Sequence, residues 1–318
     1  MSTQPTILRK LLPYAISVCA GLLIYKAVFF VALPAAPMIA MKMRGSPVHC
    51  PWNKLLTLGF DAARFGELKS EVKAPLSAKE ADTSWGLWRI ASPHRDFWSQ
   101  QQDSDTSGVA FLLAEQKWFA EMNPQEMARA GDVVIDCGAN IGVFTDTALR
   151  LGASKVVAIE PLAVNLECLR RSFAAEIQSG KVIVVPKGVW NETKTLEFLL
   201  GTNHATGSLV RQDGDGGRIT IPVDTLDNIV RELGLSRVDY IKMDIEGAER
   251  QALSGAQETL KKFRPRLMLD SYHLPDDLDV LPNIIRQAHP DYSLICGPCA
   301  RNPNTEQATL VPHVTYYK

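Results

Sequence analysis

Two groups of residues have the types and spacing to do chemistry. The first lies in "VVIDCGANIGVFT" and "VVAIEP", where Asp136, Gly138, Asn140 and Gly142 are followed by Glu160. An acid that ends the second strand of a βαβ unit can accept hydrogen bonds from both hydroxyls of a ribose. A glycine in the first turn lets backbone approach a ligand. A dinucleotide would want G-x-G-x-x-G, with its pyrophosphate at the helix N-terminus. Here the middle position holds Asn140, whose side chain intrudes there. A nucleoside cofactor without phosphates tolerates that residue, and S-adenosylmethionine is one. The second group is Asp244, Glu246, Asp270 and His273, in "KMDIEG" and "LMLDSYH". Of these, His273 has the unperturbed pKa that suits a base at neutral pH.

The elements that must position these groups alternate. "DVVID", "KVVAIE" and "KVIVVP" read as short apolar strands, separated by the helices "IGVFTDTALRLG" and "LAVNLECLRRSFAAEIQSG". In the second helix Leu162, Leu166, Leu169, Phe173 and Ile177 recur at helical spacing. A β-rich interlude follows: "TKTLEFLL", the polar loop "GTNHATGS", the Gly-rich "DGDGG" and "RITIPV". Then come the helix "TLDNIVRELG", a fourth strand "VDYIKMDIEG", a helix "AERQALSGAQETLKKF" and a fifth strand "RLMLD". "DDLDVLPNIIRQAH" reads as helical around Pro282, and strands near "YSLICG" and "TLVPHVTYY" are expected to pair as an edge hairpin. Apolar strands alternating with amphipathic helices specify an α/β, doubly wound, mostly parallel sheet covered on both faces. Its ligand belongs beyond the strands' carboxyl ends.

The first sixty residues differ in kind. No Asp or Glu precedes Asp61, whereas Arg9, Lys10, Lys26, Lys42 and Arg44 do. The apolar run from Leu11 to Met41 is long enough for a bilayer, which takes about 20 helical residues. Lys26 within it costs roughly 2.5–3.5 kcal/mol on insertion scales unless it snorkels or pairs. The length, Lys26 and the lack of a clean small-x-small site weigh against a cleaved signal peptide. The absence of a polar face weighs against a buried soluble helix. The expectation is a single-pass membrane anchor within residues 1–44. Its orientation stays open, because basic residues flank both ends. Residues 45–84, polar and Pro-punctuated, are expected to be a stalk or linker. "WGLWRIASPHRDFW" reads as a strand or hairpin, and "SGVAFLLAEQKWFAEM" as a helix ending before Pro124.

With 318 residues there is ample core, and a formal net charge of −1 gives no basic footprint for a nucleic-acid partner. Six cysteines do not make a dense disulfide framework. "CGPC" at Cys296–Cys299 has a thioredoxin-like spelling, but "ARNPNTEQ" after it gives no helix to lower a thiolate pKa, which favours a hairpin tip. "NET" at Asn191 fits a glycosylation sequon, of consequence only if the domain is lumenal.

"VVIDCGANIGVFT", "VVAIEP", "TLD" and "DYIKMDIEGAE" together resemble the FkbM family of class I S-adenosylmethionine-dependent methyltransferases. The resemblance covers about Gly131 to Asp270. It implies a Rossmann-like methyltransferase domain over residues 85–318, S-adenosylmethionine as cofactor, and methyl transfer to a hydroxyl on a sugar, glycolipid or natural-product scaffold. By it, Asp136, Gly138, Asn140, Gly142 and Glu160 match cofactor-binding positions, and Asp244 and Glu246 lie at the active-site rim. The family usually carries Glu after strand five, where this chain has Asp270, one methylene shorter.

Methyl transfer from a sulfonium needs an aligned acceptor and removal of its proton. The expected catalytic residues are Asp244, Glu246, His273 and Asp270. Glu246 has an alternative as a cap of the following helix, and His273 as a plain loop residue before Pro275. Asp244 and Asp270 could share a Mg²⁺ ion, but the sequence offers no third ligand and no metal is expected. The expected partners are a hydroxylated small-molecule, glycan or lipid acceptor, and the membrane through the N-terminal helix. A nicotinamide oxidoreductase on the same fold is the enzymatic rival, and a non-catalytic membrane-tethered module the other.

Overall fold

A computed structural model describes residues 5–45, 49–100, 106–200, 207–208, 217–301 and 310–318. Most of the loop "GTNHATGS", most of "DGDGG", and residues 302–307 of "ARNPNTEQ" lie outside them.

The N-terminal helix α1 (Pro5–Lys26) passes through a π-helical segment, Ala27–Ala32, into α2 (Leu33–Met43). Among the described residues one helix is long and apolar enough to cross a membrane. Its window Leu12–Phe29 has a mean hydropathy of 1.7 and none of it is buried in the protein. A membrane anchor and a signal sequence both meet that description.

The segment read as a stalk is structured. Helix α3 (Trp52–Lys73) buries Leu55, Asp61 and Leu68, and strand β1 (Ser77–Asp82) pairs with β2 (Leu87–Ala91), which pairs with β3 (Phe97–Gln100). Helix α4 (Ser107–Met122) packs along α3. The Phe65 ring lies 5.0 Å from Trp118, and Arg64 Nε donates to Glu121 at 2.9 Å. The inward stripe of α3 runs Leu55, Leu58, Phe65, Leu68 and Val72, interrupted by the buried Asp61.

The central sheet is built from β4 (Val133–Cys137), β5 (Lys155–Ile159), β6 (Val182–Val185), β11 (Tyr240–Met243) and β12 (Arg266–Asp270), all parallel. Its connecting elements are α5 (Val143–Arg150), α6 (Ala163–Ser172) and α7 (Ala174–Gln178), and later α8 (Leu226–Glu232), α9 (Glu249–Ser254) and α10 (Gln257–Phe263). Between β6 and α8 lies a separate four-stranded sheet of β7 (Gly188–Val189), β8 (Lys194–Leu200), β9 (Gly207–Ser208) and β10 (Arg218–Asp224). After α11 (Asp277–Ala288) come β13 (Leu294–Cys296), β14 (Cys299–Arg301), β15 (Leu310–Pro312) and β16 (Val314–Tyr317). The strand order is β13-β16-β12-β11-β4-β5-β6. The expected edge hairpin forms with a twist of order: β16 inserts between β13 and β12, antiparallel to both.

Period-two alternation divides the sheet into two cores. Val134, Val156 and Ala158 face Phe144, Leu169 and Phe173, while Ile135, Val157 and Ile241 face Leu226, Ile229 and Leu281. Each fully buried aliphatic side chain contributes about 1.5–3 kcal/mol relative to exposure. The helix read as one piece after strand four is two, α9 and α10, broken at Gly255. A Cβ there would lie 2.2 Å from the Trp190 carbonyl oxygen, so this backbone contact admits only glycine.

"CGPC" is not a hairpin tip. It carries the chain from β13 into β14, and Cys299 forms a disulfide with Cys50, just ahead of α3. Cys137 and Cys168 are fully buried free thiols, as small core residues are.

Candidate active site

The turn after β4 and the ends of β5 and β11 converge on a cavity. Gly138, Asn140, Glu160, Asp244 and Glu246 line it, with Ile159, Leu162, Val189, Phe198 and Ile221 as apolar wall. Glu160 is buried at its base. Its Oε2 accepts the Asn140 N–H at 2.9 Å and its Oε1 accepts the Leu162 N–H at 2.9 Å. Burial raises its pKa to about 7, against the opposing pull of those donors. Asn140 itself has a left-handed φ of 52°, and its Oδ1 accepts the Ile141 N–H at 2.7 Å.

Three of the five expected cofactor positions therefore face the cavity, and two stand behind it. Asp136 is fully buried, accepts a hydrogen bond from Thr145 Oγ1 at 2.7 Å, and lies 3.6 Å from Lys242 Nζ. Gly142 packs against α6: an added Cβ would lie 2.3 Å from the Phe173 ring. Gly138 is required by protein rather than ligand, since its Cβ would lie 2.0 Å from the Asp244 carbonyl oxygen.

At the other wall, Lys242 Nζ donates to the Gly138 carbonyl at 3.1 Å and lies 3.5 Å from Asp244 Oδ2. Burial opposes the ionisation of Asp244, but Lys242 and then His273 hold its pKa below the ordinary carboxylate value. Asp270 is buried at the end of β12, and its pKa is raised well above that value by burial and by Asp244 and Glu115.

His273 is buried beneath these acids. Its Nδ1 lies 2.9 Å from Glu249 Oε1, and its Nε2 lies 3.7 Å from Asp244 Oδ1 and 3.8 Å from Glu246 Oε2. A carboxylate only accepts, so Nδ1–H donates to Glu249 and Nε2 is directed at the open acids. Burial alone would depress the imidazole pKa, but Glu249, Asp244 and Glu246 outweigh it and lift it to about 10. Glu249 is anchored in turn by the Ile245 N–H at 2.9 Å. Sequence reasoning gave Glu249 no role, although it stands in "DIEGAE"; a helix-start acid reads locally as a dipole partner. Asp244, Asp270 and His273 offer ligand atoms all within 4.8 Å of one another, and could hold a divalent cation.

The fold is thus a mostly parallel α/β sheet with an acid directly after its second strand and acids at the ends of its fourth and fifth. Residues 136–293 match the model of the methyltransferase FkbM domain. The methyltransferase sdnD of Sordaria araneosa is 28% identical over 156 residues, which is 39% of this chain and 60% of that protein. The 31-O-demethyl-FK506 methyltransferase FkbM of Streptomyces tacrolimicus is 27% identical over 159 residues, 41% of this chain and 61% of that protein. The chain thus spans about three fifths of the length of these curated relatives. The crystal structure of methyltransferase FkbM from Methylobacillus flagellatus aligns with a TM-score of 0.42 and 19% identity, over 82% of this chain and 60% of that one.

Proposed function

We propose that this protein is an S-adenosylmethionine-dependent O-methyltransferase, acting on a hydroxyl of a sugar, glycolipid or natural-product acceptor, with its N-terminal helix serving as a membrane anchor. The observation that carries the reading is one cavity with Glu160 at one end and Asp244 and Glu246 at the other, backed by the His273–Glu249 pair. The donor set fits the cofactor. Glu160 accepts from two backbone N–H groups and, at 3.3 Å, from Asn165 Nδ2, which leaves acceptor capacity for a ribose hydroxyl, and Ile159, Leu162 and Val189 suit an adenine face. When bound, the cofactor supplies an electrophilic methyl group on a sulfonium.

The chain's own part is alignment and proton removal. Asp244 and Glu246 accept hydrogen bonds from acceptor hydroxyls and set the attacking oxygen near His273 Nε2. His273 would take that oxygen's proton at Nε2, and Glu249 would stabilise the imidazolium produced. Asp270 stands buried at the same edge, and Lys242 favours the ionised form of Asp244.

Calorimetry of residues 5–318 in detergent, with S-adenosylmethionine, its demethylated product and NADH, tests the cofactor. Transfer of a labelled methyl group to glycan and lipid fractions tests the reaction. Binding of NADH in preference to S-adenosylmethionine would replace this reading with the oxidoreductase one.

A further inference from the structure

We propose that the methyltransferase domain works on the oxidising side of a membrane and that Asn191 carries an N-linked glycan there. The Cys50–Cys299 disulfide is the first observation. It joins the stretch directly after α2 to β14 of the catalytic domain, across 249 residues of chain. Both sulfurs are enclosed: Cys50 is 0% and Cys299 3% exposed, and Leu55, Met38, Ile39, Met41 and Leu58 pack around them. Disulfides of this structural kind persist in secretory, periplasmic and extracellular compartments and are reduced in a mesophilic cytosol. Forming it takes two electrons and two protons from the two thiols, passed by thiol exchange to a disulfide-donating oxidoreductase of that compartment.

The apolar helix supplies the route. Kept as an anchor or removed as a leader, an N-terminal helix of this kind can deliver the chain after it across a membrane, so both readings of Leu12–Phe29 put the disulfide on one side. The flanking charges, balanced in sequence, are unequal in the structure. Lys42 Nζ donates to the Cys50 carbonyl at 2.8 Å and stands 5.4 Å over the Trp52 ring, so it belongs to the disulfide joint. With Lys42 so engaged, Arg9 and Lys10 face Arg44 alone across the helix, which favours the cytosol for the end that carries them.

The sequon completes the argument. Asn191-Glu192-Thr193 is the one N-x-S/T triplet in the sequence. It forms the bend between β7 and β8, and all three residues are exposed. Thr193 Oγ1 donates to Asp224 at 2.6 Å, which fixes the bend while Asn191 faces solvent. An exposed sequon on a domain that crosses a membrane is an acceptor for oligosaccharide transfer. The inference holds whatever the domain methylates.

The full chain, expressed in animal cells, tests it. A glycosidase that removes N-linked glycans should shift wild type and the Thr193→Ser variant, and leave Asn191→Gln unshifted. Protease added to sealed microsomes should spare the domain until detergent is present, and non-reducing peptide mapping should recover residues 50 and 299 in one cross-linked peptide. A wild-type chain with no glycosidase shift would overturn the proposal. So would a domain digested in sealed vesicles with Cys50 and Cys299 alkylated as free thiols.

Discussion

Glu249 Oε1 stands 2.9 Å from His273 Nδ1, so an acid at the start of α9 sets the tautomer of a histidine beyond the end of β12. The pair orients Nε2 toward Asp244 and Glu246 and raises the proton affinity of the ring.

Because the His273 pKa is lifted to about 10, the free ring is mostly protonated at neutral pH, and turnover should climb with pH toward that value. His273→Ala should cut turnover roughly 10²–10⁴-fold with cofactor affinity nearly kept. Glu249→Gln should move the rising limb to lower pH. The same shift bears on stability: a folded pKa above the unfolded one stabilises fully below about 6.5 and ceases to as pH rises through about 10. Rate profiles and thermal melts across that window check both.

Burial raises the Glu160 pKa to about 7, so if Glu160 holds the ribose as proposed, its accepting, ionised form grows in as pH rises through that value. Cofactor affinity measured by calorimetry should increase over the same range. Glu160→Gln should flatten the dependence and weaken binding by about 1.5–3 kcal/mol at pH 8. An unchanged affinity in that variant would remove Glu160 from the cofactor site.

Lys242→Met should be costly. Asp136 and Asp244 would lose the ammonium that lies 3.6 Å and 3.5 Å from them, and removing one partner of a buried pair costs about 3–5 kcal/mol. Chemical denaturation should register the loss. Asp270→Asn, at a site where burial and Asp244 oppose the charged carboxylate, should cost less in denaturation midpoint than Lys242→Met.

Gly255→Ala should destabilise by about 1–3 kcal/mol, since the added Cβ meets the rigid Trp190 carbonyl at 2.2 Å. Gly66→Ala, on the exposed α3 with nothing within 4 Å, should be neutral or stabilising in the same melt.

The sheet and its acids were readable because their signals are local. Apolar runs such as "KVVAI" mark buried strands, and Glu160 and Asp244 follow strand ends directly. The alternation could not reveal that Asp136 and Gly142 face the protein interior, since that depends on Lys242 and Phe173 from distant segments. Glu249 was quoted within the family motif yet unassigned, because its partner is 24 residues away. Helix α3 is obscured by its many polar residues and by Asp61 within its apolar stripe, and no spacing rule reaches across the 249 residues of the Cys50–Cys299 pairing.

The contact between Gly138 and Asp244 has a mechanical meaning. With a Cβ excluded at 2.0 Å from the Asp244 carbonyl, and Lys242 bonded to the Gly138 carbonyl, the cofactor-side turn and the acceptor-side strand end move as one yoke. A ligand that shifts the turn drags the Asp244 carboxylate with it. Loading of one half of the cavity thereby registers the other, and the two substrates should bind with measurable synergy rather than independently.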